Sequence, residues 1–347
     1  MSLLEKFGIK HPIFLAPMAG VSTPQLAAEV SNQGGLGSLG LGASAVEAAR
    51  TEILNTQQLT DHPFQVNFFC HETDTLDDTI AQAWIAQFKD KFAEFGVAAP
   101  QSLTKIYPSF KDNDDFLNLV LETRPKAVSF HFGIPHPHQI QALKDAGIIT
   151  MISATNLAEA KAIEAAGIDV VIAQGIEAGG HRGIFNTQFD AAVKTSNLVK
   201  LLKQHVQLPI VAAGGIMDGQ QARRMLNFGA EAVQLGTAFV QCKTSNANPA
   251  YRKALLSKPL TQVTASISGR PARGIINHWH TNIDTPDRLQ VPAYPYTYDL
   301  AKQLNAAALK HGDEGYGAFW AGSNVAKIRE LEAPDLINQL VLEMMPR

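Results

Sequence analysis

Two glycine turns, Ala213-Gly214-Gly215 and Leu235-Gly236-Thr237, each close an apolar run, Pro209–Ala213 and Ala232–Leu235. A helix-like stretch from Asp218 to Phe228 separates them. Glycine at such a turn permits positive φ and lets backbone N–H groups reach a phosphate with no Cβ in the way. The chemistry these turns suit is capture of a phosphorylated ligand or cofactor, as after strands seven and eight of a parallel (β/α) barrel. The plainer alternative is a pair of tight strand-to-helix turns.

Polar residues recur at the ends of other apolar runs: Asn67, Ser129, His131, Ser153, Thr155, Gln174 and Gln234. His131 lies between Phe130 and Phe132, just before Gly133. A neutral imidazole there can bind an anion or exchange a proton, or simply serve as a core histidine bonded to a carbonyl. His181, in Gly179-Gly-His-Arg-Gly183, suits contact with a flat ring or a phosphate. Tyr294, Tyr298 and Lys302 recur every fourth residue. With Pro295 at the first helical position they share one face, and two phenols with an ammonium suit a small anion that has an apolar part. The alternative is a solvent-facing helix with a snorkelling lysine. The other histidines show no metal-ligand spacing, and no metal site is expected.

The elements that must position these residues alternate. Apolar segments at Ile13–Met18, Gly35–Leu41, Phe64–Phe69, Ala127–Phe132, Ile148–Ala154, Val170–Gln174, Ile210–Gly214 and Ala232–Phe239 are nearly continuous in hydrophobicity, as covered parallel strands are. Helices are expected at Thr23–Asn32, Ser44–Gln57, Leu76–Phe95, Asn113–Glu122, Pro137–Ala146, Leu157–Ala166, Ala191–His205 and Asp218–Phe228. Asn156 and Asp218 are placed as N-caps, and Gly167 and Gly229 as helix stops. Eight such repeats predict an α/β fold, a TIM (β/α)8 barrel. An open doubly wound sheet is disfavoured, because the first strand ends in Ala16-Pro17-Met18-Ala19-Gly20 rather than GxGxxG.

The chain has 347 residues, about 100 more than the roughly 250 of a typical barrel. The excess is expected as a smaller domain inserted after strand eight, residues 242–322, roofing the active site. The barrel is then residues 1–241 and 323–347, closed by a final helix Asn324–Glu343. A net charge of −3 indicates no nucleic-acid surface. Cys70 and Cys242 form no CxxC pattern, which fits a reduced, cytoplasmic setting. No targeting or membrane segment is expected, since Pro12–Met18 is too short to span a bilayer.

Together these stretches resemble the class I nitronate monooxygenases, formerly 2-nitropropane dioxygenases. The resemblance is carried by Pro12–Gly20, Ser129-Phe-His-Phe-Gly133, Gln174-Gly-Ile-Glu-Ala-Gly-Gly-His-Arg-Gly183, Ala212–Ile216, Gln234-Leu-Gly-Thr237 and Trp320-Ala-Gly322. It implies a TIM barrel holding non-covalent FMN, with the phosphate at Gly180, Gly214, Gly215, Gly236 and Thr237. Ring and ribityl contacts are implied for Ala16, Pro17, Met18, Asn67, Gln174, Gly179, Trp320, Ala321 and Gly322, with His181 and Gln234 also on the cofactor. Ser323 departs from the family pattern, which has glutamine there. The implied substrate positions are His131, Tyr294, Tyr298 and Lys302, with His131 catalytic. The implied reaction is oxidation of an alkyl nitronate by O₂ to a carbonyl compound and nitrite, with propionate 3-nitronate as substrate and detoxification as its purpose. The rival readings are an NAD(P)H-dependent FMN reductase of the enoyl-thioester type and a non-catalytic phosphate-binding barrel.

Overall fold

The computed structural model describes residues 2–345; the chain-end residues 1, 346 and 347 of the expected barrel segments lie outside them. Eight parallel strands form the barrel: β1 (Ile13–Leu15), β2 (Gly37–Gly40), β3 (Phe64–Phe69), β4 (Ala127–His131), β5 (Ile149–Ala154), β6 (Val170–Gln174), β8 (Ile210–Ala213) and β9 (Ala232–Leu235). They pair in the order β1-β9-β8-β6-β5-β4-β3-β2. A parallel bridge between Phe14 and Leu36 joins β1 to β2 and brings the ring nearly to closure.

Helices α2 (Pro24–Asn32), α3 (Val46–Leu59), α6 (Asp115–Thr123), α7 (Pro137–Asp145), α8 (Leu157–Ala165), α9 (Thr195–His205) and α10 (Gly219–Asn227) cover the strands. Their ends follow local chemistry. Asn156 Oδ1 accepts from Glu159 N at 3.0 Å and Asp218 Oδ1 from Gln221 N at 2.7 Å, which satisfies helix donors left open in the first turn. Inside the barrel, Phe14, Met151, Ile172 and Val211 stack in one apolar cluster, and helix α1 (Leu3–Phe7) plugs its floor with Leu3 and Phe7. Sequence periodicity does not reveal a helix of five residues.

The roof differs from the expected arrangement. A short antiparallel sheet pairs β10 (Thr261–Thr264), β11 (Ala272–Ile275) and β7 (Gly180–His181). It fastens the loop after β6 to the segment that follows β9. A second core then draws on two parts of the chain. Trp84, Phe88 and Phe92, from α4 (Asp78–Gln87), α5 (Lys89–Glu94) and the turn between them, pack with Ile267, Trp279, Leu300 and Leu304. The stretch expected as one barrel helix, Leu76–Phe95, is thus two helices in the roof, and α6 covers the barrel at that crossover. An amphipathic pattern shows that a face is buried but not which neighbour covers it.

The roof also contains α11 (Pro249–Leu256) and α12 (Tyr296–Lys310). The final helix is shorter than expected: α13 spans Ala333–Met344, after a 3-10 turn at Val325–Lys327. Pro334 fixes its first turn. Among the described residues no helix is long and apolar enough to cross a membrane, and no three His, Cys, Asp or Glu side chains group as a metal site. Both cysteines are free and buried.

Candidate active site

A cavity of about 770 Å³ opens at the C-terminal ends of the barrel strands, beneath the roof. That lies within the range of ligand and cofactor pockets, about 300–1,000 Å³. Its wall includes Ala16, Pro17 and Met18 after β1, Asn67 on β3, His131 on β4, Gln174 on β6 and Gln234 on β9. The glycine turns contribute Gly179, Gly180, Gly214, Gly215, Gly236 and Thr237, with His181 beside them. From the roof come Tyr298, Lys302, Trp320 and Gly322.

Two expected residues stand elsewhere. Ala321 is fully buried behind the wall; a Cβ on Gly179 would come within 2.6 Å of its carbonyl carbon. The Trp-Ala-Gly segment and the Gly-Gly loop are therefore pressed backbone to backbone. Tyr294 is buried in an aromatic cluster with Phe69, Phe132 and Tyr107, and its hydroxyl has no partner. It precedes α12, so Tyr294 does not share a helical face with Tyr298 and Lys302, and the fourfold spacing is helical only for those two. Pro295 is the N-cap rather than the first helical residue. Ser323 is exposed, with its N–H donating to the Glu177 carbonyl at 3.0 Å.

The residues fit an anionic phosphate cofactor. Gly214 and Gly215 have φ of +117° and +69°, values that an L side chain rarely adopts. Thr195 Oγ1 donates to the Gly214 carbonyl at 3.0 Å, Asn324 Nδ2 donates to that of Gly215, and Gly322 N donates to Thr237 Oγ1 at 3.0 Å. Fixing the carbonyls outward in this way leaves the glycine turns preorganised.

Two buried guanidinium groups stand behind the wall, whose own charged residues are Lys302 and Glu52. The Arg182 side chain is fully buried, and Arg270 behind the wall is 5% exposed. Arg182 Nε and Nη2 grip Asp190 at 2.7 and 3.2 Å. Its Nη1 donates to Gln174 Oε1 at 3.0 Å and to the Gly175 carbonyl at 2.7 Å. Gln174 Oε1 also accepts from Gly183 N, and its Nε2 donates to the His181 carbonyl at 2.9 Å. The amide of Gln174 is thus committed to holding the loop.

His131 is held in one state. Its Nε2 lies 3.0 Å from the His181 carbonyl, which only accepts, so Nε2 carries the proton. Nδ1, 3.1 Å from Ser153 Oγ, accepts. Burial, opposed by that carbonyl bond and assisted by Arg270 and Arg182, lowers its pKa to about 4. Burial first, then His131 and Arg270, lowers that of His181 to about 3, and burial lowers that of His71 to about 3. These folded values lie below the unfolded one, so the stabilisation is complete above pH 6.5 or so and is lost as pH falls toward 4. Each histidine is expected to contribute up to about 1.4 kcal/mol per pH unit across that window. Denaturant titrations at pH 7.5, 6 and 5 read this directly; a midpoint that does not move with pH contradicts it.

Tyr107 joins the site without a signal in the sequence. Its loop between α5 and α6 carries no pattern, yet Lys302 Nζ donates to its hydroxyl at 2.8 Å across 195 residues. Burial pushes the Tyr107 phenol up to about 12, so it stays protonated. Lys302, an exposed residue, stands between Tyr107 and Tyr298.

A family model described as nitronate monooxygenase matches residues 1–343. The nitronate monooxygenase of Pseudomonas aeruginosa is 49% identical over 340 residues, 97% of each chain. This chain belongs to the nitronate monooxygenase family. The nitronate monooxygenase of Paraburkholderia phytofirmans is 48% identical over 347 residues, covering 99% of this chain and 94% of that one. A solved structure of nitroalkane oxidase from Streptomyces ansochromogenes superposes with a TM-score of 0.87 at 35% identity, covering 97% and 96% of the two chains. FabK from Thermotoga maritima superposes at 0.74 with 28% identity, covering 99% and 95%. As a nitronate monooxygenase family member the chain is an oxidoreductase; the family is typically flavin-dependent, and its name implies a nitronate and O₂ as substrates.

Proposed function

We propose that this chain binds FMN non-covalently and oxidises alkyl nitronates with O₂ to a carbonyl compound and nitrite, with propionate 3-nitronate as its preferred substrate. The observation that carries the reading is a cavity with glycine phosphate turns at one side and Lys302, Tyr298 and Tyr107 at another, around a neutral His131. The phosphate would lie on Gly180, Gly214, Gly215, Gly236 and Thr237. The ring and ribityl chain would lie along Ala16–Met18, Asn67, Gln174, Gln234, Gly179, His181 and the Trp320–Gly322 segment. FMN would supply the electron relay between nitronate and O₂.

The protein's own task is recognition and orientation. A nitronate arrives already deprotonated, so no strong base is needed. An anionic oxygen is a stronger acceptor than a carbonyl, so His131 Nε2–H passes from the His181 carbonyl to the nitronate group. Lys302 Nζ and the Tyr107 and Tyr298 hydroxyls receive the distal carboxylate.

Anaerobic addition of propionate 3-nitronate is expected to bleach the bound flavin, and in air to consume O₂ and release nitrite without NAD(P)H. A flat oxygen trace with nitronate, alongside bleaching by NADPH, would move the assignment to the reductase reading.

Lys302→Met tests the division of labour. Charged hydrogen bonds contribute about 1.5–3 kcal/mol, and the lower end applies because Lys302 is exposed. The loss of kcat/KM is therefore expected to be about tenfold for propionate 3-nitronate, since about 1.4 kcal/mol is a factor of ten. Ethyl nitronate, which has no carboxylate, should be nearly unaffected. Equal losses on both substrates would show the lysine acting on the nitronate group or the fold.

A further inference from the structure

One buried cation has no part in the scheme above. Arg270, just ahead of β11, is 5% exposed, and among the described residues no carboxylate pairs with it. Its guanidinium makes two contacts. Nη1 donates to the Ile184 carbonyl at 3.0 Å, and the guanidinium carbon lies 4.4 Å from the centroid of the Phe132 ring.

Both contacts lead to His131. Phe132 follows it directly and has φ +80°, a left-handed conformation that a bulky L residue holds only under external constraint. Ile184 ends the segment whose His181 carbonyl receives His131 Nε2–H. The Arg270 backbone joins the same system: Ser268 Oγ donates to the Arg270 carbonyl at 3.1 Å and accepts from His181 Nε2 at 2.9 Å. A planar guanidinium can stack on a ring and donate from its edge at once, which an ammonium cannot do.

We propose that Arg270 is a positioning residue for nitronate oxidation, clamping Phe132 and the His181–Ile184 segment so that His131 keeps its proton on Nε2, in the ring orientation from which it can donate to the substrate anion. The assignment rests on the proposed role of His131. Arg270 also leaves an unneutralised positive charge beside a site for anions. The charged and titratable groups acting on His131 are Arg270, Arg182 and His181, with only the Ser153 hydroxyl from β5. Removing Arg270 therefore raises the pH at which His131 takes up a proton.

The test compares the FMN-loaded wild type with Arg270→Met and Arg270→Lys. Arg270→Met is expected to retain flavin, because Arg270 is outside the cavity wall. Its flavin reduction by ethyl nitronate and by propionate 3-nitronate is expected to slow about 10- to 100-fold, the scale of a small misplacement, with KM nearly unchanged. The acid limb of kcat/KM is expected to move up, because one of the two guanidinium groups that lower the His131 pKa is gone. Arg270→Lys keeps the charge but not the two-sided contact, so it should restore the acid limb and not the rate. If Arg270→Met does not fold, the lysine variant decides through the same rate. Wild-type rates and acid limb in the variants, or a loss confined to Tm, would overturn the proposal. The ¹⁵N imidazole signals of His131, read without substrate, separate this from failure of the nitronate reading. They should report one Nε2–H tautomer in the wild type and averaged tautomers in Arg270→Met; an unchanged signal refutes the positioning role even if nitronate is not the substrate.

Discussion

Gly215→Leu is expected to yield a folded but colourless protein. Gly215 has φ +69°, and a Cβ there would lie 2.9 Å from Glu177 Cβ and 3.2 Å from Asn324 Nδ2. A leucine cannot enter without rotating the peptide that joins Gly214 to Gly215, and that rotation turns the backbone N–H groups away from the phosphate position. Charge-assisted hydrogen bonds contribute about 1.5–3 kcal/mol each. Losing two raises the FMN dissociation constant by about 10²- to 10⁴-fold. Flavin absorbance of the purified variant, followed by titration with added FMN, measures this. Gly147→Leu is the control: its φ of +72° is equally unsuited to leucine, but nothing lies within 4 Å of a Cβ there and it is far from the turns in the chain. That variant should lose about 1–2 kcal/mol of stability and keep its colour. Normal flavin content in Gly215→Leu would remove the phosphate assignment from this turn.

The second large effect is expected at Arg182. Its fully buried guanidinium bridges the Asp190 carboxylate, the Gln174 side chain and the carbonyls of Gln174 and Gly175. Arg182→Met removes the ion-pair partner of Asp190, which keeps only the Ala192 N–H, and leaves the Gly175 carbonyl with the Ala178 N–H alone. Removing one partner of a buried pair costs about 3–5 kcal/mol, and the lower end applies because the Asp190 side chain is 18% exposed; that is still a large share of a typical folding stability of about 5–15 kcal/mol. The damage is directed as well as large, because Gln174 Oε1 keeps only Gly183 N, and Gln174 Nε2 is the second donor on the carbonyl that holds His131. Denaturant unfolding of Arg182→Met, Asp190→Leu and the double variant measures both parts. The double variant should recover part of the loss, since it no longer buries a lone charge. Additive losses in the double variant would mean that the pair is not coupled.

The positions of the barrel strands and of the glycine turns were determined by the sequence itself. A parallel strand covered on both faces must be apolar along its length, so runs such as Val170–Gln174 and Ile210–Ala213 declare themselves locally. A turn that needs positive φ selects glycine at that position alone, which is why Gly214 and Gly215 stand out without knowledge of any partner. The motif around Gly179–Gly183 likewise marked the family. What the tertiary structure decided depends on partners far apart in the chain. The two residues of β7 form a strand only because β11 lies beside them. The helices α4 and α5 belong to the roof because Trp279 and Leu300 cover their apolar faces. Tyr294 left the face expected for it because α12 begins two residues later. Tyr107 reached Lys302, and Arg270 reached Phe132, through packing that no spacing encodes. The protonation of His131 was settled in the same way: the residue type offers two tautomers and a cation, and only the carbonyl of His181, the hydroxyl of Ser153 and two nearby guanidinium groups select one of them.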